Sequence, residues 1–139
     1  MEFKILNDTN DENKALRKKA FVIDRGVPEN VEFDGRDSLL LHFCLYDNDK
    51  LAASLRAEEI ENYVHIGRIV VNENLRKNGY GRKLLDYLCN WAKEKGYSFV
   101  ELSAVNTARG FYEKVGFIAE GDYYEETGVP HIYMKKNLK

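Results

Sequence analysis

The feature that most constrains this chain is a short polar stretch, Arg76-Lys77-Asn78-Gly79-Tyr80-Gly81, that separates two segments of different periodicity. Before it, β-branched residues concentrate between residues 64 and 71, which predicts a buried strand. After it, apolar residues recur at helical spacing from Gly79 to Lys95, and Gly96 is placed to end the helix. The sequence therefore predicts a strand, a polar loop and an amphipathic helix in direct succession.

The start of that helix is a predicted anion site. The first turn of a helix has N–H groups without carbonyl partners and lies at the positive end of the dipole, and two glycines let the backbone approach a ligand closely. Phosphate is the most natural ligand for such a site. The nucleotide P-loop is excluded because Gly81 is followed by Arg82 and Lys83, not by Lys and Ser or Thr. The dinucleotide fingerprint is excluded because Leu84 stands where a small residue is needed.

The pattern Arg-x-x-Gly-x-Gly after a strand resembles the acyl-CoA pyrophosphate loop of the GNAT N-acetyltransferase superfamily. A second stretch, residues 101–106 followed by Gly-Phe-Tyr-Glu-Lys-Val-Gly-Phe at 110–117, resembles the other signature of that superfamily. Residues 21–28, 32–37 and 128–131 resemble, more loosely, its small ElaA-type subgroup. The resemblance covers nearly the whole chain.

Length, charge and cysteine content narrow the class of protein. The 139 residues predict one domain, and a formal net charge of −2 gives no electrostatic reason to expect nucleic acid or an anionic membrane as a partner. Cys44 and Cys89 lie in apolar runs without metal-ligand spacing, which predicts buried free thiols in a reducing cytoplasm, with a disulfide as the alternative. We expect no membrane-spanning segment and no metal.

The predicted fold is mixed α/β, with a mostly antiparallel central sheet of six or seven strands flanked by helices. A helix capped by Asn10 or Asp11 follows the first strand, with an apolar stripe of Leu16, Ala20 and Ile23 and with Arg17 facing water. Strands at 39–46 and 51–58 form a hairpin, and His42 is expected to pack within the sheet. The strand at 99–105 is expected to run parallel to the one that precedes the loop.

Two acidic regions bear on the acceptor of the acyl group. The loop from Asp24 to Ser38 contains five acids, and it is either one wall of an acceptor pocket or a solvated surface. Together with the acids near Tyr123 and Tyr124, this loop suggests an acceptor that is cationic before it loses a proton. The alternative is that these acids are ordinary solvated surface charges.

The resemblance also implies which residues hold acetyl-CoA. Backbone N–H groups around Asn78 to Arg82 are expected at the pyrophosphate, with charged side chains from the same loop, and backbone groups of the preceding strand at pantetheine. Asn106 is expected at pantetheine as well, or serves as an ordinary helix cap. The expected cofactor-binding set is Ile69, Val70, Val71, Arg76, Lys77, Asn78, Gly79, Tyr80, Gly81, Arg82, Asn106 and Tyr112.

For catalysis, the resemblance puts Tyr112 beside the thiol sulfur as the leaving-group acid. The alternative is that Tyr112 is a core aromatic on a short helix, next to Phe111, which we expect in the core. A phenol with a pKa near ~10 can protonate a thiolate at neutral pH. His65 matches the strand position of the catalytic carboxylate in histone-acetylating members, and histidine can accept a proton near neutral pH. His131 is the rival base, a structural role is the alternative for each histidine, and Glu58, Glu101 or a water relay are weaker candidates.

The predicted function is that of an enzyme, an acetyl-CoA-dependent N-acetyltransferase. It acetylates a primary amine of a small molecule or peptide by direct attack through a tetrahedral intermediate, because neither cysteine has a nucleophile's setting. The alternative is a non-catalytic acyl-CoA-binding or sensing module. Small members of the superfamily often pair, so the resemblance also allows a homodimer.

Overall fold

The computed structural model describes residues 1–75 and 78–139. They form a mixed α/β fold on a seven-stranded sheet with the order β1-β2-β3-β4-β5-β7-β6. The strands are β1 (Glu2–Leu6), β2 (Leu41–Asp47), β3 (Lys50–Ile60), β4 (Tyr63–Val71), β5 (Phe99–Val105), β6 (Ile118–Glu126) and β7 (Val129–Asn137). The α-helices are α1 (Asp11–Arg17), α2 (Glu29–Glu32), α3 (Tyr80–Glu94) and α4 (Arg109–Lys114). A π-helix spans Lys18–Ile23, and 3-10 helices span Asp37–Leu39, Glu73–Leu75 and Asn106–Ala108.

β4 and β5 pair in parallel, whereas the β1–β2, β2–β3, β5–β7 and β6–β7 pairs are antiparallel. The predicted fold class is therefore confirmed. The chain divides into two compact units, one of Met1–Glu58 and Arg68–Leu84 and the other of Glu59–Gly67 and Leu85–Lys139. One domain over residues 1–139 stays a prediction. Within the described ranges, no helix is both long and apolar enough to cross a membrane.

The first unit is built on the β2–β3 hairpin. Its turn residues Asn48 and Asp49 have left-handed φ values of 51° and 64°, as a two-residue type I′ turn requires and as Asn and Asp tolerate. The middle of β2 is buried because β1 and β3 lie on either side of it. His42 is buried there, with Nε2 2.8 Å from the carbonyl oxygen of Asp37, which confirms that it packs within the sheet.

Helix α1 begins as predicted, and after it the chain continues with a different helical hydrogen-bonding pattern. The side chain of Asn10 accepts a hydrogen bond from the N–H of Asn13 over 2.9 Å. From Lys18 to Ile23 the chain continues as a π-helix, whose wider turn breaks the 3.6-residue period. Phe21 therefore points into an apolar cluster, while Ile23 is 63% exposed. The predicted apolar stripe was wrong at Ile23 for this reason.

Arg17 was also predicted wrongly, because it is buried and does not face water. Its side chain is 1% exposed, its Nε donates to Glu32 Oε2 over 2.8 Å, and its Nη1 donates to Asp37 Oδ1 over 2.9 Å. A buried guanidinium is tolerated only when carboxylates pair with it. Residues of the acidic loop supply those partners.

Two more arginines extend this arrangement. Arg56 Nη2 donates to Asp34 Oδ2 over 2.7 Å, and its Nη1 donates to Asp37 over 3.2 Å. Arg68 Nε lies 3.0 Å from Glu32 Oε1. We refer to the whole set as the ion network: Arg17, Arg56, Arg68, Glu32, Asp34 and Asp37. It joins the acidic loop to α1, β3 and β4 within the first unit.

The second unit is organised around β5. Alternate residues of β5, namely Val100, Leu102 and Ala104, are buried on one face of the sheet together with Ile132 and Met134 of β7. The opposite face is half-buried and polar. Phe99, Glu101 and Ser103 lie on it because side chains alternate between the two faces of a strand.

Candidate functional site

The start of α3 is open to a ligand. Gly79 is exposed, directly precedes the helix and has φ +72°, a left-handed conformation that a side chain would strain. The N–H of Lys83 donates to the carbonyl of Gly79 over 3.0 Å, so helical bonding begins at this glycine. A Cβ added at Gly79 would meet no atom within 4 Å. The first-turn N–H groups of α3 therefore have the geometry of an anion site.

Tyr80 fixes this end of the helix. Its hydroxyl donates to the carboxylate of Asp47 at the end of β2, and that bond raises the pKa of the Tyr80 phenol. Because the side chain is used in this way, only the backbone of Tyr80 is available for the predicted phosphate contact. Asn78 and Arg82 are exposed beside it, whereas the predicted residues Arg76 and Lys77 lie outside the described residues.

The last residues of β4, before the loop, are held in place by apolar packing and by a hydrogen bond to β3. Val70 packs in the apolar cluster with Phe21 and Val27, while Ile69 and Val71 are half-buried. The N–H of Asn72 donates to the carbonyl of Ala52 over 2.8 Å. The end of the strand is therefore anchored on β3.

In the second unit, β5 has an edge that is only partly paired. Among the described residues, its parallel pairing with β4 extends from Tyr63/Phe99 to His65/Glu101. On its other edge β5 pairs with β7 through to Val105. From Leu102 to Val105, the described register of β5 is therefore the one with β7.

Asn106 follows directly after this edge. It is exposed, and it is the first residue of the 3-10 helix whose N-cap is Val105. The alternative interpretation of Asn106 as an ordinary helix cap is therefore not what the structure has.

Tyr112 and Phe111 are adjacent in the chain but lie in different environments. Tyr112 is buried and makes an edge-to-face contact with Phe117 at a centroid distance of 6.0 Å. Phe111 is 39% exposed, so its predicted place in the core was wrong. The reason is that α4 is a helix of six residues, Arg109–Lys114, which turns only one of these adjacent rings inward.

The two candidate bases each lie beside a carboxylate, but they differ in access. His65 Nδ1 is 2.7 Å from Glu101 Oε2, and the His65 side chain is 42% exposed. His131 is buried, its Nδ1 donates to the carbonyl of Val129 over 2.8 Å, and its Nε2 faces Glu126 at 3.4 Å. His65 therefore has the more accessible imidazole.

The two histidines also lie at different places on the sheet. His65 pairs with Glu101 in register and His131 with Val105. Four residues of strand separate those positions, which corresponds to about 13 Å.

The acidic loop is neutralised within the chain. Lys19 lies 2.6 Å from Asp24, Lys18 lies 3.5 Å from Glu29, and the remaining three acids belong to the ion network. All five acids thus have a cation of the same chain beside them. A solvated surface, the second interpretation, describes Asp24 and Glu29 but not Glu32 and Asp37, which are buried in ion pairs. The role of the loop as a wall of the acceptor pocket stays a prediction.

A groove of about 820 Å³ lies elsewhere on the first unit. Lys14 from α1 and Lys18 from the π-helix line it together with Glu29 and Asp37 of the acidic loop. None of the predicted catalytic or cofactor-binding residues lines the groove.

Comparison with known proteins identifies the family. The acetyltransferase (GNAT) domain family matches residues 7–138. ElaA of Escherichia coli K12 is 30% identical over 132 residues, a match that covers 88% of this chain and 84% of ElaA. The crystal structure of E. coli ElaA has a TM-score of 0.85 to this fold, at 28% identity, covering 98% of this chain and 99% of that one.

Two further crystal structures are similar over nearly their full length. An acyl-CoA N-acyltransferase from Pseudomonas aeruginosa has a TM-score of 0.84 and 27% identity, covering 98% of this chain and 99% of that one. A Bacillus subtilis acetyltransferase in complex with CoA shares the fold, with a TM-score of 0.76 and 21% identity over 99% of both chains. These matches show that the chain belongs to the GNAT family of N-acetyltransferase enzymes, with ElaA among its relatives.

Proposed function

We propose that this enzyme is an acetyl-CoA-dependent N-acetyltransferase that transfers the acetyl group to a primary amine by direct attack of the amine on the thioester. The observation that carries the proposal is the left-handed Gly79 at the open start of α3, the next α-helix after β4. Membership of the GNAT family and the CoA complex of a protein with the same fold are consistent with it. The acceptor is a small molecule or a peptide.

The residues present suit the pyrophosphate of acetyl-CoA. The backbone N–H groups from Asn78 to Arg82 form the start of a helix of 15 residues, long enough for a full dipole. Gly79 leaves room for close approach, and the Arg82 side chain is exposed at the same place. Arg76 and Lys77 are proposed to add positive charge.

Pantetheine is proposed to pair with backbone groups of two strands. Ile69, Val70 and Val71 offer one set, and Val70 anchors that segment in the apolar cluster. Asn106, exposed at the end of β5, is proposed to hydrogen-bond the pantetheine amide. Peptide-like ligands commonly bind strand edges in this way.

Tyr112 is proposed as the acid that protonates the departing thiolate. Its ring is held by the edge-to-face contacts with Phe111 and Phe117, which fix its direction. A held phenol avoids the entropic cost of orienting a mobile side chain during the reaction. Enzymatic general acids of this kind contribute about 10²–10⁴-fold to rate.

His65 is proposed as the base that takes the proton of the acceptor amine. Its more exposed imidazole suits contact with a substrate, whereas the imidazole of His131 is enclosed between Val129 and Glu126. A base must come within hydrogen-bond reach of the proton it removes. His131 remains the second candidate for the base. Its carboxylate partner, Glu126, provides a matched control for substitution of the carboxylate beside His65.

Calorimetric titration with acetyl-CoA and with CoA tests the cofactor first. The wild type is compared with a Gly79→Val/Gly81→Val double variant and with Gly96→Val as a control. Gly96 has φ +88° at the other end of α3 and also has no atom within 4 Å of an added Cβ, so the control introduces similar backbone strain without touching the helix start.

We expect wild-type binding, a loss of at least about tenfold in affinity in the double variant, and little change in the control. Circular dichroism checks folding, and Gly79→Ala replaces the double variant if that variant is unfolded. A panel of a polyamine, an arylalkylamine, an amino sugar and a lysine peptide is then screened for thiol release. Binding of acetyl-CoA without thiol release in the presence of any amine would favour the sensing module. Absence of acetyl-CoA and CoA binding would contradict the whole proposal.

A further inference from the structure

The end of the β4–β5 pairing brings an imidazole and a carboxylate together. His65 and Glu101 are partners in the parallel register, and they form the last pair of that register among the described residues. The distance from His65 Nδ1 to Glu101 Oε2 is 2.7 Å. An ionised carboxylate only accepts hydrogen bonds, so Nδ1 carries a hydrogen, and in the neutral form of the imidazole Nε2 then has the lone pair.

The second oxygen of Glu101 is held as well. The hydroxyl of Tyr133, from β7, donates to Glu101 Oε1 over 3.2 Å. Burial and, next, the negative charge of Glu101 raise the pKa of Tyr133 to about 12, so the phenol remains a donor throughout the neutral range. With one oxygen bound by a phenol and the other by an imidazole, the Glu101 carboxylate has little rotational freedom.

The surroundings leave one side of the imidazole open. Glu101 is 20% exposed, about half the exposure of His65. Tyr63 stacks on Phe99 at 4.8 Å next to the pair, and the ammonium of Lys135, the register partner of Glu101 on β7, lies 4.5 Å from the Phe99 centroid. The Glu101 side chain is therefore the more enclosed member of the pair, and the more exposed His65 ring is the one that a substrate could reach.

We propose that Glu101 and Tyr133 are positioning residues that hold His65 with Nε2 as its proton-accepting atom. This inference rests on the proposed function. In the step it serves, an N–H bond of the acceptor amine breaks and an Nε2–H bond forms, and the resulting imidazolium lies against the Glu101 carboxylate. Fixing the tautomer and ring direction through the distal nitrogen is how partner carboxylates commonly act on histidine.

His131 and Glu126 supply the internal control. The imidazole of His131 also lies beside a carboxylate on the same unit, but its Nδ1 donates to a backbone carbonyl and its Nε2 faces Glu126. Neutralising Glu126 should therefore leave the tautomer of His65 unchanged.

The experiment compares wild type with Glu101→Gln, Tyr133→Phe and Glu126→Gln. Long-range ¹H–¹⁵N spectra of the imidazoles report which nitrogen of His65 carries the hydrogen and require neither acetyl-CoA nor an amine. For the neutral form of His65, we expect the hydrogen on Nδ1 in the wild type and in Glu126→Gln. In Glu101→Gln that preference is expected to weaken, and in Tyr133→Phe to weaken less.

Steady-state kinetics with an amine found in the screen give the second readout. We expect kcat of Glu101→Gln to fall about 10–100-fold while KM for acetyl-CoA stays within about twofold. Hydrogen on Nε2 of His65 in the wild type, or wild-type kcat in Glu101→Gln, would overturn the inference. A wild type that acetylates no amine contradicts the proposed function instead, and the spectra then decide the arrangement of His65 alone.

Discussion

Arg68 Nε lies 3.0 Å from Oε1 of Glu32, and Arg68 has a left-handed backbone φ of 52° within β4. A residue with a side chain in that conformation costs about 1–3 kcal/mol and persists where its surroundings determine it. Here the Arg68 Nη2 also donates to the carbonyl of Val31 over 3.0 Å. The ion network therefore holds the backbone of β4 immediately before Ile69, the first of the residues proposed to pair with pantetheine.

The Glu32→Gln substitution tests how much the ion network contributes to the free energy of unfolding. Glu32 faces both Arg17 and Arg68, and the side chains of Arg17 and Glu32 are almost fully buried. Removing the Glu32 charge leaves the three guanidinium groups of the ion network with two carboxylates, and we expect a loss of about 3–5 kcal/mol in the free energy of unfolding. Urea denaturation measures it.

Glu29→Gln is the matched control for that variant. Glu29 lies on the same short helix, but it is exposed and its nearest cation, Lys18, is 3.5 Å away and also exposed. We expect a change within about 0.5 kcal/mol. Equal losses in the two variants would show that burial of the network contributes nothing specific.

Asp34 gives the first unit a pH dependence in acid. The hydrogen bond from Arg56 is the main cause that holds the pKa of Asp34 well below its usual value. Because the folded pKa lies below the unfolded one of about 3.9, the carboxylate stabilises the fold above that value, and the contribution is lost as pH falls toward the folded pKa. The free energy of unfolding of wild type minus that of Asp34→Asn should therefore shrink between about pH 5 and pH 2.

Asp49→Asn provides the control for this pH series. Asp49 lies in the β2–β3 turn with a left-handed φ that Asn also tolerates. The same series on this variant measures the effect of replacing an aspartate outside the ion network. A flat difference for Asp34→Asn would mean that the pair with Arg56 contributes no stability.

The sequence alone was enough to predict the helices, strands and turns that local residue patterns determine. The helical period from residue 79 to 95 corresponds to α3, and Asn48 and Asp49 mark the turn because few residues tolerate left-handed φ. The β-branched run before the loop corresponds to β4. These features depend on residues that are close together in the chain, so a single sequence is enough to find them.

The contacts that required the structure join residues far apart in the chain. Arg17 reads as a solvent-facing helix residue because its partners, Glu32 and Asp37, follow it by 15 and 20 residues. The left-handed φ of Arg68 has no local signal, since arginine is not a residue that favours it. The His65–Glu101 contact spans 36 residues and depends on the register of two parallel strands.

Tyr112→Phe tests the proposed acid. The substitution removes only the hydroxyl and keeps the ring that packs against Phe117, and urea denaturation measures any change in stability separately from catalysis. We expect kcat to fall about 10²-fold or more, with acetyl-CoA affinity by calorimetry nearly unchanged. Tyr123→Phe is the control, because it removes an exposed hydroxyl that accepts a hydrogen bond from Arg109. An unchanged kcat in Tyr112→Phe would remove Tyr112 from the mechanism.

Both cysteines should resist alkylation in the folded protein. Cys44 and Cys89 are free and buried, and burial raises the pKa of each thiol to about 11. At pH 8 the thiolate fraction would be about 10⁻³, and the thiolate is the reactive form. Mass spectrometry after iodoacetamide treatment is therefore expected to show no adduct on native protein and two on protein unfolded in urea. Rapid native labelling of Cys89, which lies on α3, would instead indicate that this helix opens readily, because a buried thiol reacts only after its surroundings separate.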